Sequence, residues 1–266
     1  MNSPSRHFLL IAALARHLRD PAFPPPRHIA IGAASPIPAG AAWLARAMGA
    51  EFRLSLLHRR RGNPFTEGSR ELFDLAGQGR IDRFLLGGGE IEELAGQGRI
   101  DMFFLGGGEI DGEANINLIG TGEWPGLEAR FPGSFGSAFM YFMVPRIVLF
   151  REEHSPRTLV ERVQWVSAPG RSPAHHFRRG GAEVLLTSRA FFHFREGGFH
   201  LISLHPGETL AGVQAATGFR FTVAPDLAET PPPTAEELHL IRTEVASRLA
   251  SDYPAFASRL AAPPPL

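Results

Sequence analysis

The chain has no cysteine among its 266 residues. That excludes disulfides, a cysteine nucleophile and thiolate metal sites, and it suits a reducing cytoplasm. Lysine is missing too, because all 27 cationic side chains are arginines. A Schiff-base lysine and the lysine of a phosphate loop are therefore impossible. No sign of charge is in excess, since 27 Asp and Glu balance the arginines; no basic field points to nucleic acid or to an anionic membrane. Long apolar runs are also lacking, and none reaches the roughly 20 residues of a membrane span. Phe8 to Ala15 comes nearest to a signal-peptide core, but Arg16, His17 and Arg19 interrupt it and no small-residue cleavage pattern follows. Leu9, Ile11, Leu14 and Leu18 suit a helix with one face on a sheet. The chain reads as a soluble cytoplasmic protein, long enough to bury a substantial core.

What is present alternates between strand and helix signals. A helix capped by Asn2 or Ser3 ends near Asp20, before Pro21, and the strand His28 to Ile31 follows the stiff Pro24-Pro25-Pro26. Gly32 to Pro38 reads as a loop, Ala41 to Met48 as a helix and Phe52 to Leu57 as a strand. This spacing predicts an α/β fold with an open, mainly parallel sheet flanked by helices. Later signals include a strand at Arg146 to Phe150, a helix start at Ser155-Pro156 and a short strand at Trp165-Val166. Val184 to Thr187, Ala190 to Phe194 and Phe199 to Leu204 form an antiparallel extension. A short helix at Thr209 to Ala216, a strand at Phe219 to Val223 and a last helix from Thr234 to Arg248 complete the chain. Thr234 and Glu237 make a capping box for that helix.

Residues 74–92 and 93–111 are a tandem duplication within what reads as a single domain over 1–266. The copies differ only at Asp74/Glu93, Arg83/Met102, Leu85/Phe104 and Glu92/Asp111. Two copies are too few for a solenoid. Arg83 is costly to bury unpaired, so the first copy is expected at an exposed or edge position. The second copy flows into Gly106-Gly107-Gly108-Glu109-Ile110-Asp111-Gly112-Glu113-Ala114-Asn115-Ile116-Asn117. An apolar run stopping at three glycines reads as a buried strand ending in a tight loop, and ligands sit at such strand ends in open α/β sheets. Glycine there admits a close backbone approach and positive φ. The plainer alternative is a hairpin with a glycine bulge and no ligand.

The words around those glycines resemble the B (beta) subunit of family I CoA-transferases, the glutaconate CoA-transferase type. Three further blocks match that subunit in the same order: Arg130-Phe131-Pro132-Gly133-Ser134-Phe135-Gly136-Ser137, Val163 to Gly170, and Leu201 to Leu210 continuing to Phe219. The tail from Glu229 to Leu238 is also similar. The resemblance implies the CoA-transferase, Rossmann-like three-layer fold. It implies an acyl-CoA thioester as substrate, no bound cofactor, and a hetero-oligomer completed by an alpha-like CoA-transferase partner chain. Gly106, Gly107 and Gly108, with Gly133, Ser134, Phe135 and Gly136, would line the thioester site with backbone N–H donors.

In that family a glutamate at the end of the second strand attacks the thioester. Here the strand end reads Ser55-Leu56-Leu57-His58-Arg59-Arg60, without a carboxylate, and the nearest acids are Glu51 and Glu67. The loop Gly133 to Phe139 also carries apolar bulk where family members have small and polar residues. Both departures resemble the beta subunits of CoA-transferase-like ring-opening hydrolases, in which the partner supplies the carboxylate. Glu109, where the family usually has Gln, is then a candidate general base, or simply a hydrogen-bonding loop carboxylate. The Arg59-Arg60-Arg61 run is a solvated turn or a docking point for coenzyme A phosphates. His205 reads as a turn residue, and His175 and His176 lack carboxylates at ligand spacing, so no metal site is expected. Phe139 to Val144 is apolar enough to be core or a partner interface. Transferase, acyl-CoA hydrolase and non-catalytic scaffold are the three readings this leaves.

Overall fold

The structure is a computed structural model that describes residues 4–32, 34–56, 95–131, 133 and 136–262. The described residues fall into two compact units, one within Met1–Leu94 and Pro232–Leu266, the other Ala95–Pro231.

In the first unit, α1 (Pro4–Leu18) and α2 (Pro36–Ala47) accompany a parallel pair, β1 (His28–Ile31) and β2 (Arg53–Leu56). Strand β1 is buried along its whole length, as a strand inside a parallel sheet must be. Helix α2 starts at Pro36 rather than Ala41, because a proline ring presets the first helical φ and needs no N–H there. The helices meet closely at Gly40, where a Cβ would lie 3.1 Å from Ile11 Cδ1 and 3.5 Å from Val245 Cγ1. The expected last helix begins at Ala235 behind the capping box, with Glu237 N donating to Thr234 Oγ1 at 3.1 Å and Thr234 N to Glu237 Oε2 at 2.7 Å. Glu237 also accepts from Arg16. Burial alone would raise its carboxyl, but Arg16 and Thr234 hold it below the usual carboxylate range. A π-helical turn over Ile241–Val245 continues the helix, and a further helix, Pro254–Ala261, comes in addition to the elements expected.

The second unit is built on β3 (Met102–Leu105), β8 (Arg146–Arg151), β9 (Gly181–Thr187), β10 (Ala190–Arg195), β11 (Gly198–Leu204) and β12 (Thr222–Glu229). Pairs β3–β8, β8–β9 and β11–β12 are parallel, whereas β9–β10 and β10–β11 form the expected antiparallel meander. With β1–β2 the pairing is thus mainly parallel, as the sequence predicts. Between β3 and β8 come two hairpins, β4 (Glu109–Ile110) with β5 (Ile116–Asn117) and β6 (Gly120–Thr121) with β7 (Ala129–Arg130), and then helix α3 (Ser137–Met143). Helix α4 (Leu210–Ala216) is capped by Thr209, whose hydroxyl accepts from Gly212 N at 3.1 Å. Phe192 and Phe199 lie wholly inside, edge to face at 6.1 Å; burying such a side chain contributes about 1.5–3 kcal/mol.

Three expectations fail. No helix follows Ser155-Pro156, only a turn in which the Thr158 hydroxyl donates to Glu153 O and Ser155 O. Trp165-Val166 is not a strand, because Val163 N and Gln164 N donate to the Asp111 and Glu109 carboxylates instead of a ladder. The strand placed at Phe219 to Val223 starts at Thr222, since Gly218 N is tied to Leu159 O and the Phe219 ring stacks on Phe199 at 5.2 Å.

Candidate functional site

Strand β3 is fully buried and ends at Leu105, so the three glycines fall at its carboxyl end as expected. Their reason for being glycine differs from the expectation. None of the three has positive φ. What they provide is room. A Cβ at Gly107 would overlap Ile116 Cγ2, one at Gly108 would overlap the Phe131 ring, and one at Gly106 would lie 3.0 Å from Phe150 O. The chain's own side chains therefore cover the faces of Gly107 and Gly108.

Glu109 follows in β4, 7% exposed. Its Oε2 accepts from Asn117 Nδ2 at 2.7 Å and from Gln164 N at 2.9 Å. Asn117 is completely buried and fully engaged, donating also to Gly120 O at 2.7 Å and accepting from Ile119 N and Gly120 N. This geometry fits the hydrogen-bonding loop carboxylate of the two readings of Glu109. A base role would fall to Oε1, to which no described residue donates.

The hairpin tip between β4 and β5 is organised by Asp111. Its Oδ1 accepts from Glu113 N at 3.1 Å and Asn115 N at 3.0 Å, and its Oδ2 from Asn115 Nδ2 at 3.1 Å and Val163 N at 3.3 Å. Ala114, at the tip, has φ +61°, a left-handed conformation that costs a non-glycine residue energy. Two neighbours hold it there. Tyr141 Oη donates to Ala114 O at 2.8 Å, and Gly170, where a Cβ would meet the Glu113 and Ala114 backbone, donates its N–H to Asn115 Oδ1 at 2.9 Å. Burial keeps the Tyr141 phenol protonated, its pKa pushed up against the lowering effect of Arg178. Of the three acids here, Glu109 and Asp111 are buried in loop architecture, while Glu113 is exposed.

The second glycine block reaches the same place. Phe131 N donates to Ile119 O and Gly133 N to Leu118 O, both at 2.9 Å, which brings the Phe131 ring onto Gly108. Gly133 takes φ +96°, so here positive φ is the reason for glycine. Gly136 precedes α3, its carbonyl accepting from Met140 N. Ser134 and Phe135 lie outside the described residues. Within the apolar run, Met140, Tyr141 and Val144 are buried in the unit, and Phe139 is 42% exposed. Core burial thus accounts for half the run.

The second strand end lies at Leu56. His58, the Arg59-Arg60-Arg61 run, Glu67, Glu90 and the first repeat copy, 74–92, lie outside the described residues. Glu51 is exposed and precedes β2. His205 is fully buried, its Nδ1 2.8 Å from Thr230 Oγ1 and its Nε2 3.0 Å from Thr187 O, as suits a turn residue. Among the described residues no group of His, Asp and Glu is placed to share a metal ion. Sequence reasoning missed Tyr141, Ser167, Arg178 and His154. Ser167 bridges Leu118 N and Ile116 O, at 2.8 and 2.9 Å, and only its place in the Val163 to Gly170 block hinted at this.

The architecture and this loop network define the class: the fold is that of CoA-transferases. Glutaconate coenzyme A-transferase from Acidaminococcus fermentans matches with a TM-score of 0.69 at 20% identity, over 94% of this chain and 97% of that one. The decarboxylase AibA/AibB gives 0.67 at 25% identity, over 90% and 94%. IpdAB from Rhodococcus jostii RHA1 gives 0.65 at 21%, over 91% and 94%. No family model and no curated relative matches the chain. The chain shares its fold with these proteins over nearly its whole length.

Proposed function

We propose that the chain is the beta-type subunit of a CoA-transferase-like assembly acting on an acyl-CoA thioester, with an alpha-like partner contributing the reactive carboxylate. The observation that carries this reading is the hairpin at the carboxyl end of β3, in a fold matching glutaconate coenzyme A-transferase over 94% of the chain. Glu109 and Asp111 are spent on hydrogen bonds that hold this hairpin rigid. In this reading the thioester lies beside Gly106 and the Gly133 and Gly136 positions, since Ile116 and Phe131 cover Gly107 and Gly108. A rigid loop positions substrate without supplying a nucleophile, and orientation alone accounts for much of a rate enhancement.

The chemistry is open to three outcomes. Acyl transfer and thioester hydrolysis both use an activated acyl group, and the 25% identical neighbour is a decarboxylase. The assembled pair, incubated with acyl-CoA with and without a carboxylate acceptor, separates them by mass balance. A new thioester equal to substrate lost identifies transfer. Free coenzyme A without acceptor identifies hydrolysis, and released carbon dioxide with the thioester intact identifies decarboxylation. No consumption of any acyl-CoA by the pair would sink the proposal.

A further inference from the structure

The glycine loop after β3 is open at its first glycine and covered at the next two. Gly106 is exposed, Gly107 is buried against Ile116, and Gly108 is half-buried beneath the Phe131 ring. A Cβ built on Gly108 would overlap Cε2, Cδ2 and Cζ of Phe131 alike, so one edge of the ring rests on that glycine. Phe131 is itself only half-buried, which leaves part of the ring to solvent.

The seat of the ring is fixed on both flanks. Phe131 N donates to Ile119 O and Gly133 N to Leu118 O, both at 2.9 Å. The receiving segment is held in turn, because Leu118 N donates to Ser167 Oγ at 2.8 Å and Ile119 N to Asn117 Oδ1 at 2.9 Å. A side chain anchored this way through its backbone makes a wall and not a lid. Its surroundings are apolar. Leu118 and Ile119 are half-buried, and no residue from Phe131 to Pro145 carries a charge.

We propose that Phe131 sets the size of the acyl group, closing the site to all but short aliphatic chains. This rests on the acyl-CoA reading above, which puts the thioester beside Gly106, and adds a size class of substrate to it. Gly106 and Gly108 are two residues apart, at most about 7 Å along an extended chain. An acyl chain running from the first glycine toward the second meets the ring within that reach. A packed ring yields little, since forcing extra methylenes against it strains the side chains around it. With the ring gone, each further methylene admitted leaves water, which strengthens binding about fourfold.

The test is kcat/KM of the assembled pair for saturated acyl-CoAs of rising length, starting from acetyl-CoA, with the natural chain, Phe131→Ala and Leu127→Ala. Leu127 is the matched control, because its Cδ1 would lie 2.9 Å from a Cβ on Gly120 and so covers a glycine of the next hairpin in the same manner. The natural chain should lose activity as the acyl group lengthens. Phe131→Ala should move that cut-off to longer chains, with a gain of about fourfold per methylene admitted, and Leu127→Ala should leave it in place. Phe131→Leu should shift it the same way by less, and serves if the alanine variant does not fold. S-alkyl thioethers of coenzyme A, titrated calorimetrically into the pair, should show the same cut-off in affinity without any turnover.

An unchanged length profile in both Phe131 variants, or an equal shift in Leu127→Ala, overturns the assignment and leaves the function standing. A pair that consumes no acyl-CoA yet binds the thioethers with a cut-off set by Phe131 removes the function and supports the wall. A pair that neither consumes the thioesters nor binds the thioethers overturns both.

Discussion

Acidification should destabilise this protein through one histidine. His154 is 6% exposed, with Nδ1 2.7 Å from Thr187 Oγ1 and Nε2 2.9 Å from Thr217 Oγ1. The Thr217 hydroxyl sends its proton to Val213 O at 2.7 Å, so it can only accept from the imidazole. His154 therefore donates from Nε2, while Nδ1 faces the Thr187 hydroxyl, whose own proton goes to Ala190 O at 3.1 Å. Burial is the main cause that lowers its pKa, to about 4, and the positive charges of Arg189 and His205 add to it against a raising bond to Val213.

The unfolded chain binds a proton near pH 6.5 and the folded chain only near 4, so the stabilisation is complete above 6.5 and lost as pH falls through that window. The full difference corresponds to about 3 kcal/mol, of which about 2 kcal/mol is lost between pH 8 and pH 5. Urea unfolding at several pH values, on the natural chain and His154→Gln, isolates this share from Glu153 and Glu237, whose lowered carboxyls act at lower pH. The natural chain should lose about 2 kcal/mol more than the variant over that range. Parallel pH profiles would refute the buried neutral imidazole.

Glu109→Ala strands Asn117 Nδ2 and Gln164 N and should cost about 1–3 kcal/mol in unfolding experiments. Glu109→Gln keeps an acceptor at the same place, so it should leave stability nearly intact; if it also abolishes turnover, the base reading of Glu109 wins over the structural one. Gly108→Ala drives a methyl into the Phe131 ring and should lower stability by about 1–3 kcal/mol, read as a drop in melting temperature. Deleting residues 74–92 rejoins one uninterrupted copy of the repeat and should leave a soluble, folded chain; aggregation of the shortened chain alone would make the first copy integral to the core.

Much of the fold could be read because its core strands are plain apolar runs. His28 to Ile31 and Met102 to Leu105 are buried along their whole length, and a run without alternation leaves little doubt about type. Segments governed by a single distant hydrogen bond could not be read. Nothing in Val163-Gln164-Trp165-Val166 announces that Asp111 and Glu109 take its N–H groups, and without them it reads as a strand. The Ser155-Pro156 signal was sound for a first turn, but Thr158 bonds back to Glu153 O and Ser155 O, where side chains compete with helix formation. At the glycine loop the pattern located the turn correctly while the reason for its glycines lay in Ile116 and Phe131, contacts that spacing cannot reveal. Tyr141 reaches the hairpin tip from α3, and Arg178, from beyond β8, bonds to the Tyr141 carbonyl, so only the tertiary structure joins them.

The last prediction concerns the nucleophile. A glutamate that attacks a thioester must reach the acyl carbon with a free lone pair and then leave it again. Glu109 is buried, and its Oε2 already holds two donors; attack through that atom would leave the buried Asn117 amide unpaired. Glu51 precedes β2, five residues before Leu56, which along a strand is about 16 Å from that strand's carboxyl end. An ångström of misplacement is already expensive for such a step. Incubating the assembled pair with acyl-CoA and reducing with borohydride converts any glutamyl thioester to an alcohol that peptide mass detects. The peptides holding Glu51, Glu67, Glu90 and Glu109 should stay unmodified while a partner glutamate is reduced. A reduced glutamate at any of the four would place the nucleophile in this chain and make the pair an ordinary transferase. Turnover without an adduct on either chain would instead mean that water or decarboxylation, and no acyl-enzyme, carries the reaction.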